Sequence, residues 1–201
     1  MSIKPIETTY AGHRFRSRLE ARWAVFFDAY GVEWIYEPQG YETDAGRYLP
    51  DFWLPDISAW VDVKGTMTPD VWRRLCGVLW ALPAKPEDLP ARRKRGTPVL
   101  LLLSDIPSAE DAQQAMHVGL RWGIAPDRTP RTWWQFYHFA NPKWLFTVGD
   151  AAIADPDLYA SEPDLGWLIR AASNAYISPN PLLAQAYDRA RRARFEYGES
   201  G

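Results

Sequence analysis

Apolar residues first recur at helical spacing after Ser17. Leu19, Trp23, Phe26 and Tyr30 share one face, Ser17 and Glu20 form an S-x-x-E capping box, and Gly31 supplies a stop. This pattern predicts a helix. The segment "VEWIYEP" (32–38) alternates and is rich in β-formers, predicting a strand ended by Pro38 and Gly40. "RYLPDFWLP" (47–55) predicts a second strand, with Pro50 marking an edge or an irregularity. "AWVDVKG" (59–65) predicts a third. Thr68 as N-cap and Pro69 at the first helical position open a helix to about Leu82. "TPVLLLLSD" (97–105) is the continuous apolar run of a central strand covered on both faces. Ser108 then caps a predicted helix through "AEDAQQAMHVGLRW" (109–122). "TWWQFYHF" (132–139) and "KWLFTVGD" (143–150) predict two more strands, and 164–176 and 181–195 two closing helices. Helix, three strands, helix, strand, helix implies an α/β fold, a mixed β-sheet flanked by helices.

Composition narrows the class. The 201 residues suffice for one substantial core, and 47% apolar with 14% aromatic residues exclude a disordered chain. A single cysteine, Cys76, allows neither a disulfide framework nor a Cys-based zinc site and fits a reducing compartment. The N-terminal "MSIKPIETTY" lacks the apolar core of a signal peptide, and the longest aliphatic run, Val99 to Leu103, is too short to span a bilayer. A cytoplasmic protein with no membrane partner is expected.

The net charge of −2 hides a segregation. Basic residues gather at Arg14, Arg16, Arg18 and Arg22, at Arg92, Arg93, Lys94 and Arg95, and at Arg189, Arg191, Arg192 and Arg194. From Asp105 to Asp188 ten acids face five basic residues. Such a chain can bind a polyanion locally while staying near neutral overall.

The sharpest signal lies in "YLPDFWLPDISAWVDVKG" (48–65). Asp51 follows Pro50, and Asp62 and Lys64 interrupt a run that otherwise reads as a buried strand. Buried charges are costly unless paired or bound to a metal. Alternation puts Asp62 and Lys64 on one face and Val61 and Val63 on the other. If the preceding strand pairs with this one, Asp51 reaches the Asp62 face. Two carboxylates meeting there make an oxygen-rich site suited to Mg²⁺ or Mn²⁺.

Pro50-Asp51, ten intervening residues, then Asp62-Val63-Lys64, with Glu20 on the preceding helix, resembles the PD-(D/E)XK nuclease superfamily. The resemblance covers roughly residues 15 to 105. It implies a restriction-endonuclease-like αβββαβ core, here residues 1–125, with 126–201 as a helical C-terminal extension packed on it. It also implies a divalent-metal-dependent DNA endonuclease. In that reading Asp51, Asp62 and the Val63 backbone carbonyl hold Mg²⁺ or Mn²⁺, and Glu20 assists directly or through water. Lys64 orients the attacking water or stabilises the phosphate, leaving a 5′-phosphate and a 3′-hydroxyl. Arg16, Arg73, Arg74 and Arg92 to Arg95 are the expected nucleic-acid contacts. Cutting both strands of a duplex often takes two such sites, so a homodimer or a partner nuclease subunit belongs to the same expectation.

Each residue also has an ordinary reading. Glu20 serves as the capping-box acid, Asp51 sits at a turn, and Asp62 with Lys64 forms a cross-strand charge pair. The alternative function is a non-catalytic nucleic-acid-binding subunit on a nuclease-like scaffold. A glycosidase carboxylate pair fits poorly with a lysine on the same face.

Overall fold

A computed structural model describes residues 6–43, 45–83, 86, 99–124, 130–153 and 180–195. The chain opens with a hairpin, β1 (Thr8–Tyr10) and β2 (His13–Phe15), turned by Ala11 and Gly12 at φ 47° and 79°. The hairpin hands Arg16 and Ser17 to the start of α1 (Arg18–Tyr30). Here the local signals act as expected. The Ser17 side chain accepts from the Glu20 N–H, and Gly31 ends the helix in the left-handed region at φ 80°.

After α1 the chain adds β3 (Ile35–Tyr36), the small hairpin β4 (Tyr41–Thr43) and β5 (Gly46–Tyr48), then β6 (Phe52–Leu54) and β7 (Ala59–Val63). Helix α2 (Pro69–Leu79) leads to β8 (Val99–Leu103), β9 (His117–Ile124), β10 (Pro130–Asn141) and β11 (Trp144–Ile153). The last described helix is α3 (Pro181–Arg192). One seven-stranded sheet runs β11-β10-β9-β8-β7-β6-β3, and only the β7–β8 pairing within it is parallel. Among the described residues no helix is long and apolar enough to cross a membrane.

Both sheet faces are covered, which explains why β7 is buried along its whole length. Ala59, Val61 and Val63 join the core built with Trp23, Phe26 and Phe27 of α1 and Leu183 and Tyr187 of α3. Trp60, Leu100, Leu102 and Leu120 face α2 and the tyrosines Tyr41 and Tyr48 of the small hairpin. Asp62 falls on this second face by alternation, as does the start of Lys64 beyond the strand end.

Three sequence expectations change. The predicted strand 47–55 divides into β5 and β6, because Pro50 has no N–H to donate and the chain changes partners there. The predicted strand 32–38 shortens to β3, and Glu37 leaves it in the left-handed region at φ 43°. The predicted helix 109–122 is absent. Ser108 caps only a turn, accepting from the Asp111 N–H, and the chain enters β9 at His117. Gly119 shows the reason: the Tyr137 ring and Val99 lie where a Cβ would stand, 2.4 Å and 3.1 Å away, so strand pairing outweighs weak helical periodicity. The expected strands at 132–139 and 143–150 lie within β10 and β11, and the final helix is α3. The helix expected at 164–176 and the basic loop Arg92 to Arg95 lie outside the described residues.

Candidate functional site

The irregularity at Pro50 places Asp51. Its backbone still belongs to the sheet, because its N–H donates to Val61 O at 3.0 Å and its carbonyl accepts from Glu37 N at 2.9 Å. Its carboxylate turns toward the end of β7, where Oδ2 accepts from the Val63 N–H at 2.6 Å. Asp51 is 2% exposed and Asp62 1%. The two carboxylates lie on the same side of the sheet, at the carboxyl end of β7.

Lys64 sits between them. Its Nζ donates to Asp62 Oδ1 at 2.8 Å and to Val63 O at 3.3 Å, and stands 3.9 Å from Asp51 Oδ2. Three oxygens, two carboxylate and one backbone carbonyl, thus surround a single cationic atom. The other Asp62 oxygen, Oδ2, is buried and receives no hydrogen bond. An unsatisfied buried carboxylate oxygen is costly. The buried Tyr48 hydroxyl lies beside Asp62, close enough to feel its charge and to bond it loosely, though outside regular hydrogen-bond geometry.

Four acids, Glu20, Glu37, Asp51 and Asp62, gather here with Arg16 and Lys64, and Arg18, Arg47 and Arg74 stand along the adjoining walls. Burial, then the charge of Asp62, pushes the Asp51 carboxyl well above the usual carboxylate range, against the pull of Lys64. Burial and the same two aspartates also raise the Tyr48 hydroxyl well above its ordinary value.

Among the described residues there is no group of three or more His, Cys, Asp or Glu side chains that could hold a metal. The donor set here is instead two carboxylates and one carbonyl. These are hard oxygen ligands that fit Mg²⁺ or Mn²⁺ when solvent completes the shell, as Mg²⁺ commonly requires. Glu20 is 6% exposed, and its oxygens are engaged. Oε1 accepts from Ser17 Oγ at 2.8 Å, and Oε2 accepts from the Tyr36 hydroxyl at 2.8 Å and from Arg16 N at 3.1 Å. Its capping duty is therefore real, and its charge acts on Asp51 from next door.

Two adjoining cavities meet at these residues. One, of about 420 Å³, is lined by Tyr41, Arg47, Tyr48, Asp62 and Arg74; the other, of about 610 Å³, by Ser17, Arg18, Glu20 and Gly65. Arg16, Asp51 and Lys64 line both.

The expected nucleic-acid residues divide. Arg74 reaches the first cavity, and its guanidinium donates to Arg47 O at 3.0 Å. Arg73 does not line either cavity and pairs with Asp70 at 2.6 Å on the exposed side of α2. Arg16 is in the cleft, but its guanidinium is committed to acids: NH2 to Asp51 Oδ1 at 2.5 Å, and Nε to Glu37 Oε1 at 2.6 Å. Arg47, Tyr41 and Tyr48 were not singled out in the sequence. The signal for them is the alternation across Gly46, which sends Tyr41 and Tyr48, paired partners in the register, into the core.

No protein-family model, curated protein or solved structure matches this chain.

Proposed function

We propose that the chain is a divalent-metal-dependent DNA endonuclease that hydrolyses phosphodiester bonds. One observation carries the reading: Asp51 Oδ2, Asp62 Oδ1 and Val63 O gather around one cation, with Asp62 Oδ2 buried and unpartnered beside them. The order of elements within the large sheet supports it. Helix α1, the antiparallel strands β3, β6 and β7, helix α2 and the parallel strand β8 come in that order in a mixed sheet, and the reading draws on this order together with the "PD" and "DVK" spacing.

In this reading Asp51, Asp62 and the Val63 carbonyl hold Mg²⁺ or Mn²⁺, which supplies Lewis acidity toward the phosphate and a more acidic bound water. The Val63 N–H fixes the orientation of Asp51, and a bound ion would take Asp62 Oδ1 and Val63 O from Lys64, leaving the ammonium at the cleft wall. The lysine, a third exposed and lining the cleft, would stabilise charge developing on the phosphate. Glu20 closes the N-terminus of α1 and adds negative charge behind Asp51. Arg74 and Arg47 offer positive charge along the neighbouring cavity.

The test is incubation of the protein with supercoiled, linear, single-stranded and branched DNA, and with RNA, in Mg²⁺, Mn²⁺ or EDTA. Metal-dependent cleavage that Asp62→Asn abolishes is the expected result. Binding of DNA without cleavage in any metal would instead establish the non-catalytic nucleic-acid-binding subunit.

A further inference from the structure

We infer that Arg16 is a latch across the cleft, which couples the binding of a nucleic-acid phosphate to the binding of the divalent ion. The inference rests on the metal site proposed above and concerns a residue that the nuclease reading uses only as a phosphate contact.

Arg16 leaves the β1–β2 hairpin just before α1 and crosses from Asp51 on one side to Glu37 on the other. With Asp51 and Lys64 it lines both cavities. Asp51 is 2% exposed and Arg16 binds its Oδ1, while Val63 N–H holds its Oδ2. Arg16 thus takes Asp51 Oδ1, and a divalent ion on Oδ2 shares the same carboxylate with a guanidinium at 2.5 Å, whose positive charge opposes it.

The other end of the latch is poised rather than buried. The Arg16 side chain is about half exposed, and Glu37 holds it from a left-handed backbone position at φ 43°, which a non-glycine residue adopts only at a cost. A guanidinium presents a planar fork that matches phosphate as well as carboxylate. A phosphate lying beside these shared residues therefore takes the fork, releases Asp51 Oδ1 and leaves the whole carboxylate charge to the ion. The exchange satisfies the guanidinium in both states. Linkage then requires the ion to strengthen nucleic-acid binding by the same factor as nucleic acid strengthens ion binding.

Calorimetric titration of Mn²⁺ into the full chain, with and without a saturating short DNA duplex, tests this. The Lys64→Ala background prevents turnover, and fluorescence anisotropy of a labelled duplex reports the reciprocal effect. The duplex should tighten Mn²⁺ at least about fivefold in the Arg16-bearing protein, within the usual range of coupling between sites. Arg16→Gln should bind Mn²⁺ more tightly than its parent without DNA, by a similar factor, and the duplex should then have no further effect. Glu37→Gln, which loosens the latch from its far end and leaves the Asp51 contact in place, should give a smaller shift in the same direction, and it decides the matter if Arg16→Gln does not fold. Mn²⁺ binding that is unchanged by the duplex in the parent, or coupling that survives in the folded variants, would overturn the latch while leaving the metal site intact. No Mn²⁺ uptake by any protein, with or without DNA, would overturn both.

Discussion

Replacing Lys64 with methionine isolates the role of the one cation that now sits among the three oxygens. The substitution keeps most of the aliphatic stem and removes the ammonium. Asp62, 1% exposed, then loses the hydrogen bond at 2.8 Å, its other oxygen being unpartnered already. Removing one partner of a fully buried ion pair costs about 3–5 kcal/mol. Neutralising an ordinary carboxyl at pH 7 costs about 4 kcal/mol, which caps the penalty. Lys64 is a third exposed, so water replaces part of what is lost, and about 2–3 kcal/mol is the expected destabilisation without metal. At roughly 2–4 °C per kcal/mol for a chain of this size, the melting temperature in EDTA should fall by about 4–12 °C. Mn²⁺ at about a hundredfold excess over its Kd returns about 2.7 kcal/mol, enough to restore most of that loss. Differential scanning calorimetry in EDTA and in Mn²⁺ measures both quantities, and a nicking assay on supercoiled DNA should show the rate reduced by about 10²–10³-fold with metal binding retained. A variant as stable as wild type in EDTA would mean that Asp62 does not depend on Lys64. A variant destabilised in EDTA but not rescued by Mn²⁺ would mean that these oxygens hold no metal.

Glu20→Gln separates capping from chemistry: glutamine also serves a capping box, so the urea midpoint should move little while cleavage falls at least tenfold, and unaltered cleavage would confine Glu20 to the helix end. His117 is lowered to about 3 by burial and then by neighbouring His138, so it stays neutral in the fold while the unfolded chain takes up a proton below about pH 6.5. Its stabilisation is therefore complete above that pH and lost as pH falls, by up to about 1.4 kcal/mol per unit; His117→Gln should flatten the urea-measured slope between pH 6.5 and 5, and an unchanged slope would assign the acid sensitivity elsewhere. Gly119→Ala places a Cβ 2.4 Å from the Tyr137 ring and should destabilise by about 1–3 kcal/mol in urea unfolding, whereas wild-type stability would mean that the ring moves aside freely.

What could be read from the sequence was what depends on near neighbours along the chain. The Ser17–Glu20 box and Gly31 fixed α1, and strict alternation placed Asp62 opposite Val61 and Val63 before any tertiary contact was known. The apolar run at 99–103 announced a strand covered on both faces, and β8 is one. The helix expected at 109–122 fails for a reason beyond local reach. Its alanines suit either state, and the decision is made by pairing with Leu100 to Leu102 and by a tyrosine ring from β10 against Gly119. Arg16 is the same lesson in electrostatics. As an arginine in a basic run it reads as a phosphate contact, because the acids that hold it lie 21 and 35 residues away, on Glu37 and Asp51. Its partners arise only once the β1–β2 hairpin, the end of β3 and the break at Pro50 come together. The charge that made Asp51 look misplaced in a strand is thus answered twice, by Lys64 from its own sheet and by Arg16 from outside it.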